Sequence, residues 1–319
     1  MLVLILSDET DEHALHVQRA LRDRNVDTEL LDSRWFPGAL GLDFDPRSGD
    51  GSFTLPNGRR IAFNDVHSVY WRSYCGVSPA RLPDAEQDYI AENDSRSLFE
   101  SILIHLPTRW INSWHAFQLH QRKPVQLAMV AGLGVDVPAT LLTNQPSSVG
   151  AFAARCSESI FKPVQGGAYA QRLTAHYLQP KHLENLSFAP VTLQQEAPGT
   201  NVRVFVAGQR VMACRLDSRT LDYRDDPKVH ISAVPLSQDA QIMCRRISEK
   251  LDLHWTGIDF REAPDGNLVF LEANPSPMFM GFETATDLPL TDALVDLLID
   301  PSQSQASQTM RRSPTRCTA

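Results

Sequence analysis

The stretch GIDFREAPDGNLVFLEANPSP, Gly257 to Pro277, constrains this chain more than any other. Asp265-Gly266 sits between two runs rich in β-forming residues, WTGIDF and NLVFLEA, which is the pattern of a hairpin. If the turn is centred on that dipeptide, Pro264 faces Asn267, and counting outward sets Asp259 directly opposite Glu272. Any even-length loop with the same centre gives the same pairing. Alternation along a strand puts Glu272 and Asn274 on one face, with Asp259 across from the first and diagonal to the second. Two acids and an amide therefore converge inside runs that also hold Val269, Phe270 and Leu271.

Directly opposed like charges destabilise a sheet, and the apolar neighbours argue against a solvated surface hairpin. A cation resolves the conflict. Two carboxylates and a neutral amide oxygen are hard ligands, suited to magnesium that keeps several waters and also holds substrate phosphates. Asn274-Pro275-Ser276-Pro277 then ends the strand at the ligands, because proline cannot donate to a ladder.

The chain of 319 residues is ample for two or three subdomains sharing a large core. Its 30 Lys plus Arg against 38 Asp plus Glu give a net charge of -8, which argues against a general nucleic-acid surface. The expected partners are small molecules or peptides, with neither nucleic acid nor membrane among them, and a homo-oligomer is left open. MLVLILSD reads as a buried first strand rather than a signal peptide, and no later run reaches transmembrane length. Cys75, Cys156, Cys214, Cys244 and Cys317 are scattered without C-x-x-C spacing, which fits reduced thiols in a cytoplasmic protein.

Along the chain, residues 1–112 read as one α/β domain: strand, helix over about Asp11 to Arg24, strand, turn-rich hairpins over 40–63, the strand HSVYWRSY, a helix near Ala85 to Leu106 and a short strand around Trp110. Asp43, Asp45 and Asp50 read as turn acids, since an EF-hand glycine and terminal glutamate are missing. His13 and His16, on one helix face, read as surface residues. A second region, 113–190, opens with a helix through about Gly132, closed by a C-cap turn in GLGVDVP, followed by strands at PATLLTN, SIFKPV and AQRLTA. The third, 191–300, holds the strand VTLQQEA, a hairpin turning at Ala207-Gly208, a helix near Gln238 to Leu251, the acidic hairpin and a last helix near Leu290 to Leu298. Residues 301–319 are polar and low in aliphatics, and disorder is expected there.

In IFKPVQGGAY, Lys162 ends an apolar strand and Gly166-Gly167 follow. A Walker loop has its lysine after the glycines, so this is a different device: a cation beside a flexible loop whose backbone N–H groups can approach an anion. Arg203 alternates with valines in a hydrophobic hairpin, and Arg224 lies in LDYRDD. Each can cover apolar surface with its stem, or serve near a metal-phosphate site as a fork for carboxylate or phosphate oxygens. No G-x-S-x-G elbow and no H-E-x-x-H occurs, so the chemistry runs on phosphate electrostatics rather than on a protein nucleophile.

With RKPVQLAMVAGLGVDVPATLLTN, IFKPVQGG, LQQEAPGTNVRVFVAG, LDYRDD and GIDFREAPDGNLVFLEANPSP in this order, the chain resembles the ATP-grasp ligases, in particular the branch of the ribosomal-protein glutamate ligase and the microviridin-type (graspetide) peptide ligases. The resemblance covers roughly Arg122 to Leu298, and MLVLILSDETDE with VYWRS looks like the pre-ATP-grasp domain of the graspetide enzymes. It implies an α/β protein with α+β subdomains, an ATP-grasp fold behind an N-terminal pre-ATP-grasp domain. It implies ATP and Mg2+, with Mn2+ as a substitute, as cofactors. Lys123 and Lys162 would contact nucleotide phosphates, Gly166 and Gly167 would lie in a closing loop, and Gln195, Glu196 and Ala197 would form the adenine-side hinge. Asn201 stands where relatives commonly carry Asp near the ribose. Arg203 and Arg224 fall on catalytic arginines near the transferred phosphate and acyl group, and Asp259, Glu272 and Asn274 on magnesium ligands. The implied reaction activates a carboxylate as an acyl phosphate, which an amine or hydroxyl then attacks, the expected substrate being a peptide or amino acid. A small-molecule kinase or a nucleotide-binding regulator on the same fold are the alternatives, and the two arginines favour the ligase because a carboxylate substrate wants forks.

Overall fold

The computed structural model describes residues 1–165, 169–220, 223, 226–300 and 302. Five consecutive buried residues, LVLIL, form β1 (Leu2–Leu6), which pairs in parallel on both sides and therefore needs an unbroken apolar run. The helix α1 (Glu12–Asp23) starts at Asp11, whose carboxylate accepts from the Ala14 N–H, and it lays Ala14, Val17 and Leu21 on the sheet. After β2 (Asp27–Leu31), the strands β3 (Gly41–Phe44), β4 (Gly51–Thr54) and β5 (Arg60–Ala62) make a small antiparallel sheet, as the turn-rich stretch suggests. β6 (Val66–Trp71), α2 (Ala85–His105) and β7 (Arg109–Ile111) complete a four-stranded parallel sheet in the order β2-β1-β6-β7. Tyr70 and Trp71 are buried in it, and half-buried Tyr74 packs against the core that holds Trp71.

The single helix expected over 113–132 is two: α3 (Trp114–His120) and α4 (Lys123–Ala131). Pro124 causes the break. It has no N–H to give a preceding carbonyl, its ring clashes with the turn before it, and it is tolerated only in the first turn of a new helix. Lys123 thereby becomes the first residue of α4.

β8 (Thr140–Thr143), α5 (Pro146–Arg155), β9 (Ser159–Lys162), β10 (Gln171–Arg172), α6 (Pro180–Leu183) and β11 (Val191–Gln195) follow. Their sheet runs β10-β9-β11-β8. A boundary between 190 and 191 would cut β11 away from β8 and β9, with both of which it pairs, so this sheet extends to Gln195. At the other end, Ala116 of α3 and Val130 of α4 pack with Val204, Ile258 and Phe270 of the next sheet.

That sheet is antiparallel and five-stranded, in the order β14-β13-β12-β15-β16, from β12 (Thr200–Ala207), β13 (Arg210–Asp217), β14 (His230–Val234), β15 (Trp255–Glu262) and β16 (Leu268–Asn274). The helices are α7 (Gln238–Lys250), α8 (Met280–Thr286) and α9 (Leu290–Ile299); β14 and α8 carry no expectation from the sequence. The core under α4 and α7 takes one face, including Val204 and Ile258, while Phe205 and Trp255 on the other share a core with α1, α8 and α9. α9 also reaches the first sheet: the Ser68 hydroxyl donates to the Leu298 carbonyl at 2.8 Å, and Arg109 Nη2 donates to the same oxygen at 2.7 Å. Apart from Ser302, the expected disordered tail lies outside the described residues. Among the described residues, no helix is long and apolar enough to cross a membrane.

Candidate active site

A cleft of about 590 Å3 opens between the last two sheets, with one wall from β9 and β11 and the other from β12, β15 and β16. The β15–β16 hairpin sets its floor. Asp259 does stand opposite Glu272, and Gly257 opposite Asn274. The route to that register differs from the count on the sequence. The loop has three residues, Pro264 to Gly266, closed by the Ala263 N–H on the Asn267 carbonyl at 2.8 Å, with Gly266 at φ +86°. Such a loop pairs Glu262 with Leu268, and an unbroken ladder would then oppose Asp259 to Leu271. A β-bulge beyond Phe260 inserts Leu271 as an extra residue and restores the pairing. In consequence Leu271, Glu272 and Asn274 all line the cleft, while Phe270 and Ala273 are buried behind them.

The like-charge conflict is met by side chains from elsewhere in the chain. Arg203 of β12 lies opposite Asp259 in the ladder and grips it with two hydrogen bonds of 2.7 Å. Lys123 Nζ, at the start of α4, donates to Glu272 Oε2 at 2.5 Å. Burial disfavours a charged Arg203, but Asp259 outweighs it and pushes the guanidinium pKa up. Burial likewise opposes ionisation of Glu272. Lys123, helped by Lys162 and His120, nevertheless holds its carboxyl below the usual range. The Arg203 guanidinium also lies over the rings of Phe282, at 5.2 Å, and Tyr223, at 5.7 Å.

On the opposite wall, Lys162 Nζ donates to Gln194 Oε1 at 3.1 Å, and the Gln194 amide donates to Thr140 Oγ1 at 3.0 Å. Gln195, Glu196 and Ala197 line the cleft beside them. Glu196 receives a two-pronged bond from Arg172, which lowers its pKa. Arg261 donates to the Ala197 carbonyl at 3.1 Å and to Asn201 Oδ1 at 3.0 Å, so the amide at position 201 is an acceptor for a neighbouring strand. Every expected site residue among the described ones therefore borders one cleft: Lys123, Lys162, Gln195, Glu196, Ala197, Asn201, Arg203, Asp259, Glu272 and Asn274. Gly166, Gly167 and Arg224 lie outside the described residues.

Arg72, in the stretch HSVYWRSY, bonds Asp11 through Nε at 3.1 Å and Ser276 through Nη1, tying the first domain to the end of β16. Sequence reasoning missed three contributors. Gln194 and Arg261 anchor neighbours whose roles were anticipated, and nothing local marks them. The third, His13, was read as a surface residue. It is only 8% exposed, lines the cleft and packs edge-on against Phe279 at 4.9 Å. It stands four residues before buried Val17, on the helix stripe that faces the core, and that spacing was the available signal.

Among the described residues there is no cluster of three His, Cys, Asp or Glu for a metal. The donors on offer are two carboxylates and the Asn274 amide oxygen, which already accepts from the Ser276 N–H at 3.0 Å. As hard oxygen donors on one wall they fit Mg2+ or Mn2+, provided Arg203 and Lys123 give way.

No family profile matches the chain. Over 133 residues it is 28% identical to a probable α-L-glutamate ligase of Alkalilimnicola ehrlichii, covering 40% of this chain and 43% of that protein. Over 129 residues it is 28% identical to the β-citrylglutamate synthase B of Danio rerio, covering 38% of this chain and 32% of that protein. The matches thus span less than half of these curated relatives. The solved structure of the ATP-grasp ligase PsnB, complexed with a phosphomimetic variant of its minimal precursor, Mg and ADP, superposes with a TM-score of 0.81 at 30% identity, over 94% of this chain and 98% of that one. The macrocyclase MdnC of Microcystis aeruginosa, bound to its precursor peptide MdnA, shares the fold with a TM-score of 0.81 at 21% identity, over 94% of this chain and 100% of that one.

Proposed function

We propose a function from one premise: the chain belongs to the ATP-grasp ligases, in the branch of the ribosomal-protein glutamate ligase and the graspetide peptide ligases. On this reading it is an ADP-forming ligase that activates a carboxylate of a peptide as an acyl phosphate and joins it to an amine or hydroxyl. The observation that carries the reading is the pair of ion pairs, Arg203–Asp259 and Lys123–Glu272, on the floor of a cleft whose other wall presents Lys162.

Asp259, Glu272 and Asn274 would hold Mg2+, which would supply charge neutralisation for the phosphates. Lys123 and Arg203, the present partners of the two carboxylates, would then turn toward anions in the cleft. Lys162 faces them from across it. Arg203, nearly buried and sandwiched by Tyr223 and Phe282, is preorganised for an oxyanion that develops near β12, where a donor in a dry site counts for more than in water. Gln195, Glu196 and Ala197, held by Arg172 and Arg261, would seat the base.

The test uses synthetic peptides that pair one Asp or Glu with one Lys, Ser or Thr, incubated with protein, ATP and Mg2+. The expected result is ADP release with loss of one water from the peptide, and formation of a hydroxamate when hydroxylamine replaces the internal nucleophile. A stable phosphorylated product, or no hydroxamate with any peptide, overturns the reading.

A further inference from the structure

We propose that His13 takes the proton of the attacking amine or hydroxyl group, a role that rests on the ligase reading above. The N-terminal domain would then supply a catalytic group to a cleft otherwise built from the two later sheets.

The first observation is an unsatisfied atom. His13 is 92% buried by its 8% exposure, it lines the cleft, and its Nδ1 has no hydrogen-bond partner among the described residues. Buried polar nitrogens are nearly always paired. That nitrogen is enclosed as well as unpaired, so a donor reaches it only as the ligand's entry uncovers the cleft side of the ring. The second observation is location. The ring is held edge-on by fully buried Phe279, and three residues further on Phe282 lies under the Arg203 guanidinium. His13 therefore stands at the arginine end of the cleft, where the acyl group is expected, and away from the wall of Gln195 to Ala197.

The third observation is charge state. Burial first, then the positive field of Arg72, with a smaller push from His16 and opposed by Asp11, lowers the His13 pKa to about 4. The imidazole is thus neutral near pH 7 and keeps a lone pair for an N–H or O–H. A negatively charged acyl phosphate in the cleft favours the protonated ring and raises its basicity at the moment it is needed.

The step balances without any further reactant. As the nucleophile's nitrogen or oxygen bonds to the acyl carbon, its N–H or O–H bond breaks and the proton moves to the imidazole. The bond from that carbon to the phosphate oxygen breaks, phosphate leaves with the electron pair, and the ring returns the proton to the departing phosphate.

Two half-reactions separate this role from a structural one. Hydroxylamine is uncharged near neutral pH and needs no base, so hydroxamate formation from the peptides above reports activation alone. For His13→Gln and His13→Ala we expect hydroxamate formation within about twofold of wild type, and peptide ligation lower by on the order of 100-fold, the range of general base catalysis. Added imidazole should restore part of the ligation in His13→Ala. Ligation at the wild-type rate in either variant, or equal loss of both half-reactions without imidazole rescue, overturns the proposal. Should neither variant fold, 15N histidine spectra of the wild type decide: a His13 ring whose nitrogens show no new hydrogen bond or protonation on adding peptide, ATP and Mg2+ overturns it, and a ring nitrogen moving to the shift of a hydrogen-bonded or protonated imidazole upholds it. A wild type that makes no hydroxamate with any peptide removes the ligase reading itself, and this inference with it.

Discussion

The two walls of the cleft hold the same kind of residue on very different foundations. Four of the five strands in the large sheet run seven or eight residues, and fourteen buried side chains back its cleft-distal face. In the small sheet no strand exceeds five residues, and its core consists of Val149, Phe152, Cys156, Leu186 and Leu193. Local stability follows buried apolar contact. The acids and Arg203 are therefore mounted on a rigid floor, while Lys162 rides on a thin wall that can open and close over a ligand at little cost.

Breaking the floor should have the largest effect. Asp259→Asn leaves Arg203 buried without its partner, and we expect turnover to fall on the order of a thousandfold and stability to fall by about 3 kcal/mol in denaturant titration. Glu272→Gln should lose turnover comparably yet cost under about 1 kcal/mol, because the Lys123–Glu272 pair keeps more contact with water than its neighbour. Equal stability losses would mean that the two pairs are not differently mounted. On the apolar side, Phe270→Ala should lower global stability by about 4 kcal/mol. Phe152→Ala should accelerate amide exchange in residues 140–195 alone; exchange rising across 200–274 as well would make the two sheets one cooperative unit. Removing the cation of the thin wall, Lys162→Ala, should weaken nucleotide binding by about 2 kcal/mol by calorimetry, with the melting temperature little changed.

Acid is the gentlest probe. Folding lowers the Glu272 pKa, so its contribution is fully present above the unfolded value of 4.5 and is lost as pH falls through the folded value. Glu272→Gln should flatten that acid limb of the stability curve, and Phe152→Ala should leave its shape intact.

What the sequence made legible was local. The hairpin, the strand at Lys162 and the turn at Ala207-Gly208 follow from turn chemistry and alternation within a few residues. Asp259 and Glu272 were matched by an even loop that does not exist. An odd, three-residue loop and an extra Leu271 offset each other, and nothing in NLVFLEAN announces a bulge. The partners of the two acids lie 56 and 149 residues away, and no periodicity reports such a contact. Pro124 did carry the signal that splits the expected helix. His13 was misread although its spacing to Val17 put it on the core-facing stripe, and its cover, Phe279 just before α8, lies 266 residues away.

The last helix of the described fold closes the first sheet. Ser68, fully buried, gives its hydroxyl to a carbonyl 230 residues later, and Leu294, Val295 and Leu298 share a core with Val3, Ile5 and Tyr70. A ribosome delivers the beginning of the chain long before that helix exists. During synthesis, the sheet of β1 and β6 must wait with an apolar face uncovered, and a nascent chain stalled before residue 290 would present that face to chaperones or to other chains.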